Sequence, residues 1–391
     1  MTRARRPLTQ ARPRPYQSVM ARKKRSWPGV TKNRAAMRSA WPYHADPKTG
    51  EWVTADDGDW CGGHRVECLR ILGVLKDRPD LITGARARCE ALRPKLERED
   101  QFRGHRFHYS AARPCDHTGD HTLCTLALAA VDAVSAIEMP VNGAMPIGMQ
   151  LQVKSTTLAS RSIVAVDNVH PNLRQDWWAW YETDDDTFLY GAIVNPDVTL
   201  QDFTRPDGSM VTFVEYDPDK GRVLREFTLR GAHDESCWSR RQAWAIAGFP
   251  RSWEETGERC YLDAAEKLAD YWFERTGPGG VPPWDFDDTS THAPLDTLAA
   301  AIMLEQLARV QAGEVRDKGA AAPFLARLKP MIEGLCAHLT PLAPDDMRPR
   351  GMLVDGCFNQ PRDLANRSEL ISGNANLLMA LSCLETGRVP A

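Results

Sequence analysis

What this sequence lacks narrows it first. It has no run approaching the roughly 20 apolar residues that a membrane-crossing helix needs, so no segment reads as transmembrane. It has no strong charge of either sign. With 49 basic against 52 acidic side chains the formal net charge is −3, which gives the chain as a whole no pull toward nucleic acid or a membrane surface. GxGxxG, Walker and GxSxG motifs are missing, and with them the usual signatures of dinucleotide binding, phosphate-loop binding and the α/β-hydrolase nucleophile. There is no CxxC pair. The ten cysteines are scattered from 61 to 383, which without a secretion signal argues for reduced thiols in a cytoplasmic protein. The first 30 residues lack any acid but carry Arg3, Arg5, Arg6, Arg12, Arg14, Arg22, Lys23, Lys24 and Arg25 among prolines. No apolar stretch follows this basic start, so residues 1–30 read as a disordered basic tail rather than a signal peptide or a nucleic-acid arm.

What is present is mostly helix. At 391 residues and 42% hydrophobic the chain can build a large core. From Trp253 to Arg275 the residues Leu262, Ala265, Leu268, Ala269 and Trp272 mark one helical face, with Glu and Lys opposite. Similar periods run over 298–310, 324–339 and 368–384, each bounded by Pro, Gly or Asp. One segment differs. Between 203 and 231, alternating residues flank Asp-Gly and Asp-Lys-Gly turns, which is β-hairpin chemistry.

Twelve tryptophans are many, and several stand among acids and glycines rather than in apolar runs: Trp60 in DGDWCGG, Trp284 in PPWDFDD and Trp244 in SRRQAW. Trp272, inside a periodic helix, reads as core. Indoles set among carboxylates suit sugars, whose C–H faces stack on rings while hydroxyls meet acids and amides. CWSRRQAWAIAGF (237–249) adds Arg240 and Gln242 between Trp238 and Trp244 at helical spacing, and an unpaired buried guanidinium is expensive. Among the acids, Asp167 follows the apolar run SIVAV, a junction that suits a helix cap or a part-buried proton donor. Asp116 and Asp120 in CDHTGDHTLC open a helix and individually read as caps. Cys115, His117, His121 and Cys124, like Cys61, His64 and Cys68, have spacings that a zinc ion accepts. With acids interleaved and no CxxC, zinc is the minority reading, and no metal is assigned. The DDD at 184–186 reads as a solvated turn, and His170 and His233 as surface or capping residues.

Taken together, these segments resemble the unsaturated glucuronyl hydrolases, glycoside hydrolase family 88. RPDGS, EYDPDKG and CWSRRQAWAIAGF (205–249) are similar to that family's R-x-DGS hairpin, its D-P-x-T/K-G turn and its W-x-RGQAWAIYGF helix. DGDWCGG, WEETGERCYLDAAEKLADYW, VPPWDFDDTSTHAPLDTLAAAI and DGCFNQP with ELISGNANLLMAL agree in order and spacing, so that the likeness spans about residues 50–385. Gln242 favours this family over the related unsaturated rhamnogalacturonyl hydrolases. The resemblance implies a mainly α fold: residues 31–391 as a single (α/α)6 barrel, with six inner helices ringed by six outer ones and the β-hairpin as an excursion. It implies an enzyme without metal or organic cofactor whose partner is a small anionic sugar. Such an enzyme protonates the C4=C5 bond of an unsaturated uronic acid and directs water to C5. It further implies Asp167 as acid/base and Asp116, or Asp120, as a second acid. Arg240 would pair with the uronate, Trp60 and Trp244 would be binding-site rings, and Gln242, Asn195 and Trp284 are further substrate-binding candidates.

The departures cluster around the expected substrate. Cys115 stands where the family's H-D-x-G-F motif has histidine, Arg241 replaces the glycine of RGQAW, and Asn195, Thr212 and Gln150 stand where a histidine, a histidine and a tryptophan are expected. Scaffold motifs hold while site motifs change. The alternatives are therefore an acid/base enzyme that hydrates, dehydrates or cyclises a small non-polymeric substrate, and a non-catalytic sugar-binding protein.

Overall fold

The computed structural model describes residues 40–389 apart from 140, 154, 155, 278 and 316; the basic tail expected over 1–30 lies outside the described residues. The chain opens with two short strands, β1 (Trp41–Ala45) and β2 (Trp52–Ala55), and then turns helical. Helix α1 (Gly62–Leu75) is followed by α2 (Pro79–Leu92). A second helical run comprises α3 (Arg103–Phe107), a π-helical turn (His108–Ala112) and α4 (Arg113–Thr118), and α5 (His121–Ser135) packs outside it. Strands β3 (Pro146–Val153) and β4 (Thr156–Ala165) lead into a 3-10 turn (Val166–Val169), then α6 (Pro171–Thr183) and α7 (Asp186–Asp202). Strands β5 (Phe213–Tyr216) and β6 (Val223–Phe227) precede α8 (Ser239–Thr256), α9 (Arg259–Thr276) and α10 (Thr297–Ala312). The chain ends with α11 (Ala322–Leu325), α12 (Leu328–Cys336), the two-residue strand β7 (Glu369–Leu370) and α13 (Ile371–Thr386).

Six helical segments close a ring: α1, the α3–α4 run, α6, α8, α10 and α13, each packed on the next and α13 back on α1. Among the described residues α2, α5, α7, α9 and α12 back this ring from outside. This is the (α/α)6 barrel, and burial follows the layers. Every residue of α10 from Thr297 to Val310 is buried, whereas α2 buries only Ala85, Cys89 and Leu92.

The centre of the ring is filled partly by ions. Glu67 on α1 takes Arg70 and Arg113, and Glu305 on α10 takes Arg309 at 2.7 Å. Arg174 on α6 binds both Glu314 and Gln306. Burying these charges is tolerable because each faces an opposite charge or a hydrogen-bond partner.

Several boundaries differ from the sequence reading. The periodic stretch 253–275 is divided, because Gly257 at φ +80° caps the end of α8 and α9 begins afresh. Phe324 to Leu339 breaks into α11 and α12. The hairpin expected over 203–231 is present as β5–β6, with its turn at Asp217–Gly221, and it forms one half of a four-stranded antiparallel sheet ordered β3-β4-β5-β6. The other half was not expected. Nor was the sheet β2-β1-β7, which joins the first strands to the start of α13.

The thiol expectation also needs correction. Gly119 at φ +66° turns α4 into α5, bringing Cys115 and Cys124 to a Cα–Cα distance of 5.1 Å as a disulfide. That pair no longer argues for a reducing compartment, and it removes two of the four ligands of the zinc reading. Among the described residues no group of three or more His, Cys, Asp or Glu side chains is placed to hold a metal ion, and no helix is long and apolar enough to cross a membrane.

Candidate active site

Asp167 sits where β4 ends and the 3-10 turn begins, only 2% exposed. Two neighbours hold that turn. Asn168 donates its amide to the Met145 carbonyl at 2.6 Å, and α8 lies so close that a Cβ on Gly248 would fall 2.1 Å from the Val169 carbonyl. Glycine at 248 is therefore a packing requirement, and it fixes the distance between α8 and the turn that carries the acid.

Across from Asp167, α8 contributes Arg241, whose Nη1 lies 2.7 Å from Asp167 Oδ1 in a buried ion pair. Burial draws the Arg241 guanidinium below its usual value, and the Asp167 charge works against that draw. The guanidinium lies over Phe213, Trp238 and Trp244, 4.8 to 5.3 Å from their ring centroids.

The rings continue around this pair. Trp244 meets His105 edge-on at 5.6 Å, His105 meets Trp60 at 5.6 Å, and Trp60 stacks toward Phe358 at 6.4 Å. Trp60 donates its indole N–H to Tyr43 Oη at 3.0 Å. His105 comes from the short α3, one residue after Gly104, whose Cα backs directly onto Asn172. Both of its ring nitrogens are buried without a hydrogen-bond partner, and so are His64 Nδ1 and the Arg241 Nε. Buried polar atoms are nearly always satisfied, and these unsatisfied ones gather among the indoles. Burial pushes His105 well below the ordinary imidazole value and His64 down to about 3, so both face the site as neutral rings at neutral pH. Asp59, beside Trp60, is a second carboxyl on this wall. Burial raises it above the usual carboxylate range, and its side chain accepts the Trp60 backbone N–H at 2.9 Å.

The residues singled out from sequence divide into two groups. Asp167, Trp60 and Trp244 lie on this centre. Arg240 is its neighbour but is already occupied: its guanidinium reaches Asp296 Oδ2 at 2.9 Å and the Cys357 carbonyl, and Asp296 also caps α10. Arg240 is therefore a scaffold tie between α8, α10 and the 357 loop, and Arg241 is the cation that meets the acid.

Gln242 spends its amide on the carbonyls of Gly208 and Leu268, and Asn195 spends its own on Met145 N–H and the Gly191 carbonyl. Trp284 donates to Asp288 at 2.6 Å. Asp116 is exposed and accepts the Trp178 indole, in the second half of α6. That places it roughly 10 Å or more along the helix from the end carrying Asp167. Asp120 caps α5 and pairs with Arg86 at 2.5 Å. The structure brings neither acid to Asp167.

His170, expected as a surface or capping residue, is not at the surface: it is buried at the N-cap position of α6, with Nε2 3.2 Å from Tyr109 Oη and 3.9 Å from Glu305 Oε2. The 184–186 turn is exposed and joins α6 to α7, as expected, and His233 is exposed beside Glu235. Arg241 was legible as a departure from the family pattern. His105, in the unassigned stretch before Cys115, carried no signal.

The helical double ring is that of the (α/α)6 barrels, here with an acid and a run of indoles at its centre. Comparison with known proteins narrows the class. No family model matches the chain. An unsaturated glucuronyl hydrolase of Formosa agariphila is 35% identical over 147 residues, 37% of this chain and 36% of that protein. One from Bacillus sp. strain GL1 is 31% identical over 110 residues, 28% and 29% of the two chains. An unsaturated chondroitin disaccharide hydrolase of Streptococcus agalactiae is 30% identical over 132 residues, 33% of each. The matched segments thus span about a third of the length of these relatives.

The fold extends the likeness. The crystal structure of the Bacillus sp. GL1 unsaturated glucuronyl hydrolase superposes with a TM-score of 0.79 at 23% identity, covering 90% of this chain and 92% of the other. An unsaturated glucuronyl hydrolase specific for heparin gives 0.76 at 21%, covering 90% and 93%. The chain thus has the fold of the unsaturated glucuronyl hydrolases over nine-tenths of its length and is similar to them in sequence over about a third.

Proposed function

We propose that the protein is a hydrolase of unsaturated uronic acid glycosides, with Asp167 as its acid/base. The observation that carries this reading is the placement of Asp167: a buried carboxyl paired with Arg241, whose guanidinium lies over Trp244, the first of a run of rings that continues through neutral His105 to Trp60. The relatives named unsaturated glucuronyl hydrolase support it.

In the reaction Asp167 gives a proton to C4 of the C4=C5 enol ether, and positive charge develops at C5 and the ring oxygen. Water adds to C5 and returns its proton to the Asp167 carboxylate. The resulting hemiketal opens by breaking the bond between C5 and the ring oxygen, leaving a ketone at C5. The hemiacetal formed at C1 then collapses to an aldehyde and releases the neighbouring group as its alcohol. The barrel supplies a desolvated acid held in one orientation and rings that stack on the planar unsaturated sugar.

The test is loss of ultraviolet absorbance from a panel of unsaturated disaccharides made by glycosaminoglycan and polyuronate lyases. The wild-type protein is expected to bleach at least one, and Asp167→Asn to lower kcat on that substrate by about 10²- to 10⁴-fold. Full activity in D167N, or a wild-type protein that bleaches none, sinks the reading.

A further inference from the structure

Three guanidinium groups surround one indole. Arg230, Arg240 and Arg241 lie 5.8, 4.9 and 4.8 Å from the centroid of the Trp238 ring. Two of the three have counterions, since Asp296 takes Arg240 and Asp167 takes Arg241. Arg230 has none. It is 7% exposed, lies over Phe358 at 4.5 Å and donates to the Phe358 carbonyl at 3.0 Å, but among the described residues it forms no ion pair.

Its placement is not loose. The loop that carries it is pinned by Thr228 Oγ1, which accepts the N–H groups of Arg230 and Gly231, and by Asp285, which accepts Ala232 N–H and Ser236 Oγ–H. A Cβ on Gly231 would meet both Ser236 Oγ and Asp285 Oδ2 below 3.0 Å, so the loop backbone sits hard against those groups. A buried cation held this firmly without an anion costs stability, and such groups are kept where a ligand supplies the missing charge. Burial, with Arg240 and Arg241 nearby, draws the guanidinium down to about 9 although Tyr43 and the more distant Asp167 hold it up; it remains charged at neutral pH, with no anion in contact among the described residues.

We infer that Arg230 is the anion seat of this site: it takes the oxyanion of the ligand, the carboxylate of a sugar acid, while Arg240 and Arg241 stay with Asp296 and Asp167. The seat deepens the function proposed above, because it provides the cation for the uronate that Arg240 cannot. A planar guanidinium suits a carboxylate through paired N–H donors, and a sulfate ester offers similar oxygens.

Calorimetric titration of the full chain with D-glucuronate and, separately, with inorganic sulfate tests this without requiring turnover. Wild-type protein is expected to bind glucuronate, and Arg230→Met to weaken that binding by on the order of ten- to a hundredfold while the melting temperature holds or rises. An arginine that only braced the 358 loop would show the reverse, a lower melting temperature with affinity unchanged, and that result overturns the assignment. Should R230M not fold, Arg230→Lys carries the test: several-fold weaker glucuronate binding is expected, and wild-type affinity would overturn it. Sulfate that binds more tightly than glucuronate and displaces it overturns the carboxylate assignment in favour of sulfate esters, whereas sulfate that fails to compete supports it. A wild-type protein that binds glucuronate through Arg230 but bleaches no unsaturated disaccharide would sink the reaction and leave the seat standing. One that binds neither anion removes the seat whatever it turns over.

Discussion

At the scale of single residues, the ion pair between Asp167 and Arg241 decides most about this site. Both groups are buried, so removing one strands the other. Arg241→Met is expected to cost about 3–5 kcal/mol, because a lone buried carboxylate remains. Adding Asp167→Asn to that variant should restore part of the loss, with a coupling of roughly 1–3 kcal/mol. Urea denaturation of the two single variants and the double variant measures this, and strictly additive losses would mean that the pair is not formed. The acid of this pair was readable in the chain, since SIVAVD places a carboxylate directly after an apolar run and the family pattern points to it. Its cation was not. The motif makes Arg240 prominent, but Asp296 lies 56 residues further on, and only the folded chain shows that it neutralises Arg240 and leaves the next residue for Asp167. His105 was illegible for a related reason: apart from Phe102, its ring neighbours are drawn from α1, α8 and the segment before α1, far away in the chain.

At the scale of elements, the site depends on two backbones that nearly touch. Helix α8 passes the 166–169 turn at a distance only glycine permits, so Gly248→Ala must push the Val169 carbonyl away and carry Asp167 with it. The expected result is a stability loss of about 1–3 kcal/mol from overpacking and a fall in kcat larger than any change in KM, because the acid moves relative to a bound sugar. Gly84 in α2 is the control. A Cβ there meets nothing within 4 Å, and Gly84→Ala should stabilise by roughly 0.5–1 kcal/mol with unchanged kinetics. If G248A unfolds no earlier and turns over as fast as wild type, the close approach has no functional role. Chemical denaturation and steady-state kinetics on the same preparations decide it. The helices themselves were legible from their 3.6-residue periods, and their errors fall at Gly257 and between α11 and α12, where a capping turn interrupts a continuing apolar pattern. Strands β3 and β4 pair with each other locally, but went unread because two register shifts between Pro146 and Leu151 break the alternation and β4 meets β5 only more than forty residues away.

At the scale of the whole molecule, the barrel was legible because five scaffold motifs keep their order, whereas the charge inside it was not, since composition records only a near balance. That interior charge predicts how stability responds to acid. His64, His105, His108 and His170 are held neutral by burial and stay so well below the ordinary imidazole range. The unfolded chain takes up their protons near pH 6.5 while the native state does not, so each removes stability as pH falls below that point. Buried carboxyls act in the opposite sense. Burial raises Glu138 and Glu369 to about 7 and lifts Asp59, Asp176 and Asp285 as well, so the native state binds these protons first and gains stability as pH falls toward the unfolded values, 4.5 for the glutamates and 3.8 for the aspartates. Between about pH 6.5 and 4.5 the two sets oppose each other, and the urea midpoint should change little. Below about 4.5 for the two glutamates, and below about 3.8 for the three aspartates, the carboxyls become protonated in both states and their contribution stops growing, while the histidine loss continues. A further loss joins it there. Although burial opposes it, Arg113 and Arg70 keep Glu67 below the usual carboxylate range, and against the same opposition Arg174 and Arg309 keep Glu314 down to about 2, so the unfolded chain protonates both glutamates before the native barrel does. The expected profile is a plateau followed by a steep fall, measured as the urea midpoint at half-unit steps from pH 7.5 to 3.5. A midpoint declining steadily from pH 7 would mean that the raised carboxyls do not offset the histidines. A plateau that continued past pH 4 would mean that the imidazoles take up protons inside the fold, which their burial among Arg113, Arg174, Arg241 and Arg309 opposes.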